Sequence, residues 1–302
     1  MGEVIFNSFI FILIIATGYL FKQFGILKKE DSNVLATIIM DLTLPCVFLA
    51  SADGIEMNRE LFLYMMLGFA VNFVMIAVSN LLNRKKDPLT KGCFILASAG
   101  YDIGNFVLPF ILVFFPGQGM IYLCAFSVGN TIMAMGVTYT MAAFLSSGSS
   151  RFDGKALLKS LLSSVSFDVY IVILIIACFH LSIPEPILKI TSVVGSANTF
   201  LVMMMIGLKL DFHMERSESS NILQIILTRY AGAAVLTVLT FLLPIPLLAK
   251  KIFTVTYFGP MVSISSVYAR KLGYEGNMVA NASMVSIMLA MAVITGLLMV
   301  FV

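Results

Sequence analysis

The sequence predicts an all-α polytopic membrane protein of ten transmembrane helices in two inverted five-helix repeats, with helices four and nine broken and crossed. Three observations predict it. Sixty per cent of the 302 residues are hydrophobic and 12% are charged, with a mean hydropathy of +1.00, outside the range of water-soluble domains. Apolar runs of roughly 20 residues, the length that crosses a bilayer, recur ten times with short loops between them. One polar connector divides the first five runs from the last five.

The first run, residues 4–22, follows Glu3 without a basic segment or a small-residue cleavage site, so a retained helix is expected rather than a signal peptide. Runs at about 34–52, 61–82, 93–115 and 120–145 complete a first repeat, residues 1–145. Residues 146–164 form the connector, rich in Ser and Gly and then carrying Arg151, Asp153, Lys155 and Lys159. The second repeat, 165–302, holds runs at about 165–181, 187–208, 222–243, 247–268 and 278–302. An odd number of spans per repeat forces the two repeats into opposite orientation. Traces of duplication persist: residues 12–16 and 173–177 both read ILIIA. Pro260 follows Pro109 by 151 residues, and the pairs Val128/Val279, Asn130/Asn281 and Met133/Met284 share that separation.

Basic residues fix the expected orientation. With the N-terminus outside, fourteen Lys and Arg fall in inner loops and four in outer loops, while Arg229 near the start of the eighth run belongs to neither count. Both termini are therefore expected outside a cytoplasmic membrane, with the connector inside. The net charge of +3 is small and its basic residues sit in loops, so no nucleic-acid partner is implied. Cys46, Cys93, Cys124 and Cys178 lie within apolar runs at unrelated spacings, which fit neither a disulfide framework nor a metal site.

Residues 98–109 carry the candidate chemistry. Gly100 and Gly104 loosen the fourth helix and Pro109 removes a backbone donor. Freed backbone is tolerated in a bilayer where it lines a cavity or is buried in protein, which is how broken helices build transporter sites. Ser98, Asp102, Asn105 and Pro109 share one helical face, read as a wall of a substrate site. The ninth run repeats the pattern with a break at residues 259–263, adding Pro260 and Ser263. Half-helix N-termini at two facing breaks suit an organic anion. Asn130 and Asn281 are either contacts to that substrate or interhelical hydrogen bonds. Asp41 lies in the middle of the second run and is a candidate coupling residue, whereas Lys209 closes the seventh run and is expected at the interface. Asp102 would repel an anion by about 4 kcal/mol at 4 Å and an effective dielectric near 20. The conflict disappears if a proton or sodium ion binds with the substrate, so Asp102 is also read as a coupling residue.

The segments GYDIGNFVLPFILVFFPGQG and FSVGNTIMAMGVTY, residues 100–119 and 126–139, resemble the fourth and fifth spans of the auxin efflux carrier family. That family includes plant carriers and bacterial malate and malonate permeases. Gly259 and Pro260 through Ser266, Tyr268 and residues 271–273 to Asn281 are similar to its ninth and tenth spans. The resemblance implies ten spans in inverted repeats, prolines at the crossing (Pro109 and Pro260) and an asparagine beside the first break (Asn105). It also implies a homodimer, with spans one, two, six and seven as a scaffold for a moving remainder. The function it implies is secondary transport of a small carboxylate without a cofactor. The alternative is a sodium- or proton-coupled exchanger, or a bile-acid-like symporter, on a similar crossed-helix fold. No GxGD, HExxH, GxSxG or P-loop occurs, so an enzyme is not expected.

Overall fold

Glycine decides where these apolar helices meet and where they break. The computed structural model describes residues 2–51, 59–147, 155, 165–179, 181–210 and 218–302, so nearly all of the connector lies outside the described residues. Every regular element among them is helical. Helix α1 (Gly2–Gln23) is followed by α2 (Asp31–Ile38), which runs through a π-helical turn at Ile39–Thr43 into α3 (Leu44–Ala50). Helix α4 (Arg59–Leu82) is continuous. Helix α5 (Pro88–Ser98) starts on Asp87, whose carboxylate accepts from Thr90 N–H, and ends at a break. The chain re-enters helix through Ile103–Val107 and α6 (Leu108–Phe114). Helix α7 (Gln118–Ile132) continues through Met133–Val137 into α8 (Thr138–Ser147).

The second half begins with α9 (Val165–Cys178), then α10 (Glu185–Ser196) and α11 (Asn198–Lys209), which meet at Ala197. Helix α12 (Ser219–Leu242) is continuous, α13 (Leu247–Tyr257) ends at a second break before α14 (Ile264–Lys271), and α15 (Met278–Phe301) closes the chain. Seven helices among the described residues are long and apolar enough to cross a membrane. The fourth and ninth expected spans fall short because each is interrupted, and the described part of the sixth has 14 residues.

The polarity is that of a membrane protein. Phe6, Val193, Leu242 and Val300 on the outer surface are 64–80% exposed, while Asn72, Asn130, Asn198 and Arg229 are buried. Helices α1, α2, α3, α9, α10 and α11 pack on one another, as do α4 to α8 with α12 to α15. The two groups meet where α1 touches α15, α9 touches α7 and α11 touches α6. Each group closes on glycine: a Cβ at Gly207 would strike the backbone oxygen of Ile15 in α1, and one at Gly129 that of Met65 in α4. Close backbone approach is how apolar helices gain packing where water supplies no drive. Gly129→Ala is expected to force α4 and α7 apart, at about 1–3 kcal/mol, as a lower melting temperature in detergent.

Helices of equal length recur through the chain. Helices α5 and α13 each have 11 residues and start 159 apart, and α4 and α12 each have 24 and start 160 apart. That spacing differs from the 151 residues between Pro109 and Pro260. Pro109 follows the π-helical turn Ile103–Val107 inside one continuous helical stretch, so its missing N–H leaves a carbonyl one turn back without that donor, while Pro260 lies in the break before α14.

Candidate functional site

The two breaks lie against each other. Tyr101 and Met261 form an antiparallel bridge, and Asp102 N–H donates to the Pro260 carbonyl at 3.0 Å. Gly100 makes the turn possible, with φ of 81°, and a Cβ there would come within 2.7 Å of Val262 Cγ1. Side chains satisfy the backbone that the break frees. Asn72 Oδ1 in α4 accepts from Gly100 N–H at 2.6 Å. Asn130 in α7 reads both sides of Tyr101: its Oδ1 accepts from Tyr101 N–H at 3.1 Å and its Nδ2 donates to the Tyr101 carbonyl at 2.9 Å. Ser286 Oγ in α15 accepts from Met261 N–H at 3.3 Å.

Helices α5 and α13 both run toward the crossing, so both bring the negative ends of their dipoles to it. Arg229 in α12 answers them. Its Nη1 donates to the carbonyls of Ala97, Ser98 and Gly100 at 3.0–3.2 Å, and its Nη2 to that of Gly259 at 3.2 Å. The guanidinium also lies over the Tyr101 ring, 5.1 Å from its centroid. At 3% exposure this cation is held by four carbonyls.

The positive ends of the second half-helices are met by the protein's own groups. Asp102 Oδ1 accepts from the backbone N–H and the Nδ2 of Asn105 at 3.3 and 3.0 Å, capping the π-helical turn that leads into α6. Its Oδ2 accepts from Ser263 Oγ at 2.7 Å, and Ser263 precedes α14. The helix N-terminus that the sequence offers to an anion is therefore occupied by Asp102.

Beside this carboxylate is a cavity of about 220 Å³. Ala36, Met40, Leu44, Tyr170 and Lys209 line it from the first helix group. Residues 101–105, Asn130, Thr131, Ala134, Met135 and residues 262–264 line it from the second. Lys209 and Asp102 thus line one space.

Of the sequence-predicted site residues, Asp102, Asn105, Asn130 and Ser263 come together at the cavity. Ser98, Pro109, Pro260 and Asn281 do not line it. Ser98 is buried against Ser79 Oγ at 3.2 Å, and Pro260 contributes its carbonyl to Asp102. Pro109 is packed inside α6. Asn281 lies five residues before Ser286 in α15, about 7.5 Å along the axis, so it sits toward the helix end rather than level with the break. Asp41 is exposed on the outer face of the π-helical turn, while Met40 and Leu44 face inward. Lys209 points into the cavity rather than standing only at the interface. Asn72, Ser286 and Arg229 were not singled out from sequence. An arginine inside an apolar run is the signal that marks Arg229, because such a charge must find partners.

Comparison with family models found none that matches the chain, and comparison with curated proteins found no match.

Proposed function

We propose that the protein is a secondary active transporter that moves a small organic anion across the cytoplasmic membrane by alternating access. In this reading ten spans form two inverted repeats, both termini lie outside, and α4 to α8 with α12 to α15 move against the other helices. The observation that carries it is the cavity between the two helix groups, with Lys209 on one wall and the crossed breaks on the other. A cavity shared by two packed groups changes its exposure when they shift, which is what alternating access requires. A second recess of about 220 Å³, lined by Val47, Ser51, Leu112, Thr191 and Gly195, also lies between the groups. Leu44 faces the first recess, Val47 faces the second, and Thr43 beside them donates to Asn198 Oδ1 at 2.8 Å. Asp102 is the acid among the described lining residues, which favours an anion carrier over a sodium/proton exchanger built on paired carboxylates. Asp41, exposed on an apolar helix, supports a homodimer that covers this face.

Purified protein in liposomes is expected to take up at least one small carboxylate, with uptake raised by an imposed proton or sodium gradient. Absence of uptake across a panel of mono- and dicarboxylates, in both membrane orientations and under both gradients, would sink the reading. Cysteines placed in the connector are expected to react with membrane-impermeant reagent only from the cytoplasmic side. Labelling from outside intact cells would overturn the orientation.

A further inference from the structure

We infer that Leu44, seated on Gly104, is the gate that separates the cavity at the crossing from the second recess. The assignment rests on the transport reading above and names the barrier that such a transporter opens, whatever its substrate. The two recesses enter the span from opposite ends. The first is lined by Ala36, in the second turn of α2, and by Lys209, the last residue of α11. The second is lined by Ala50, the last residue of α3, and by Leu112, two residues before the end of α6. Leu44 lines the first and Val47 the second, and three residues of helix rise only about 4.5 Å. The facing side of the seam is Gly104 at the first recess and Leu112 at the second, with Leu108 fully buried between them in the chain. The barrier is therefore one layer of side chains rather than a long plug.

Shape closes this layer. A Cβ at Gly104 would lie 2.8 Å from Leu44 Cδ2, and the three atoms nearest to it all belong to the Leu44 side chain, so the leucine fills the hole that the missing Cβ leaves. A charged or hydrated solute does not pass a dry contact between a leucine and backbone without losing its water. Both partners come from irregular helix: the π-helical turn Ile39–Thr43 leads directly into Leu44, and Gly104 stands in the turn Ile103–Val107. The third π-helical turn among the described residues, Met133–Val137, lines the same cavity through Ala134 and Met135. Such turns are frequent at functional sites. Thr43 beside the leucine is tied to Asn198 at 2.8 Å, which anchors this turn to α11. Leu44 belongs to one helix group and Gly104 to the other, so the contact breaks when the groups slide past each other.

The test is cysteine accessibility in the full-length protein, on a background in which Cys46, Cys93, Cys124 and Cys178 are replaced by alanine. Met40→Cys reports the first recess and Ser192→Cys the second. A small, charged, membrane-impermeant methanethiosulfonate is applied to one face at a time, in intact cells and in inside-out vesicles. Met40→Cys is expected to react from one face only and Ser192→Cys from the other. Adding Leu44→Ala to Met40→Cys should open reaction from the second face, raising its rate there by at least about tenfold, the equilibrium weight of one buried leucine side chain. Adding Gly104→Val as well should close it again, because the new side chain enters the space the leucine left, whereas a merely loosened fold would not recover. Melting temperature in detergent monitors folding of each variant. A folded Leu44→Ala protein that still reacts from one face overturns the gate, as does failure of Gly104→Val to reseal it, or a Met40→Cys protein that reacts equally from both faces or from neither. Uptake is measured separately: two-sided reaction on removal of Leu44, in a protein that transports nothing, would remove the transporter reading and leave the gate standing.

Discussion

Arg229→Met is expected to lower the melting temperature in detergent more than any other single substitution at the crossing, and to abolish uptake. The substitution keeps most of the side-chain volume and removes every hydrogen bond the guanidinium makes. The carbonyls of Ala97, Ser98, Gly100 and Gly259 then lose its donors at a point buried from water. A buried acceptor left unsatisfied costs about 1–3 kcal/mol, and removing one member of a buried charged network typically costs about 3–5 kcal/mol. The four acceptors share one group, so the larger figure for the network is expected rather than four separate costs. Arg229→Lys should recover part of the loss, because a lysine keeps the charge beside the two helix ends without the planar fork that spans them. An Arg229→Met protein that melts and transports like wild type would mean that Asn72, Asn130 and Ser286 hold the crossing without it.

The helices were legible because hydropathy acts over twenty residues at a time, and the fourth run was legible as broken because Gly100, Asp102 and Asn105 have no place in a stable apolar helix. The point of breakage was less so. Pro109 is the most conspicuous helix breaker nearby, yet the chain stays helical across it, just after a π-helical turn, and the break instead depends on Gly100 having room beside Val262. That room is set by the second break, 161 residues away in the case of the Asp102 to Ser263 contact. Partners at such separations leave no local pattern. The same holds for Lys209, whose position at a helix end suits an interfacial residue until α1 is packed beside it. Asn281 follows Asn130 by 151 residues, whereas the helices of equal length start 159–160 residues apart, and Asn281 lies nearer the start of α15 than Ser286 does.

Asp102→Asn is expected to separate binding from accumulation. Asparagine can keep the local hydrogen bonds, with Oδ1 accepting from Asn105 and Nδ2 donating to the Ser263 hydroxyl, which rotates to accept. The fold should therefore survive while one negative charge leaves the cavity. Asp102 and Lys209 are opposite formal charges on the cavity wall, and a bound monovalent anion adds one negative charge to them. In the proposed transporter, a proton or sodium ion taken up with a monovalent anion would restore that balance. In Asp102→Asn the cavity starts at +1 and the substrate alone neutralises it, so the ion has no electrostatic reason to bind. Removing a like charge within about 4 Å of the carboxylate is worth roughly 1–4 kcal/mol, depending on how far water screens the pair. Substrate affinity should therefore rise by at least about fivefold, while concentration of substrate against its gradient is lost. The checks are binding in detergent and uptake in liposomes with and without a proton or sodium gradient. A variant that accumulates substrate with unchanged ion dependence would confine Asp102 to capping the half-helix and joining the two breaks.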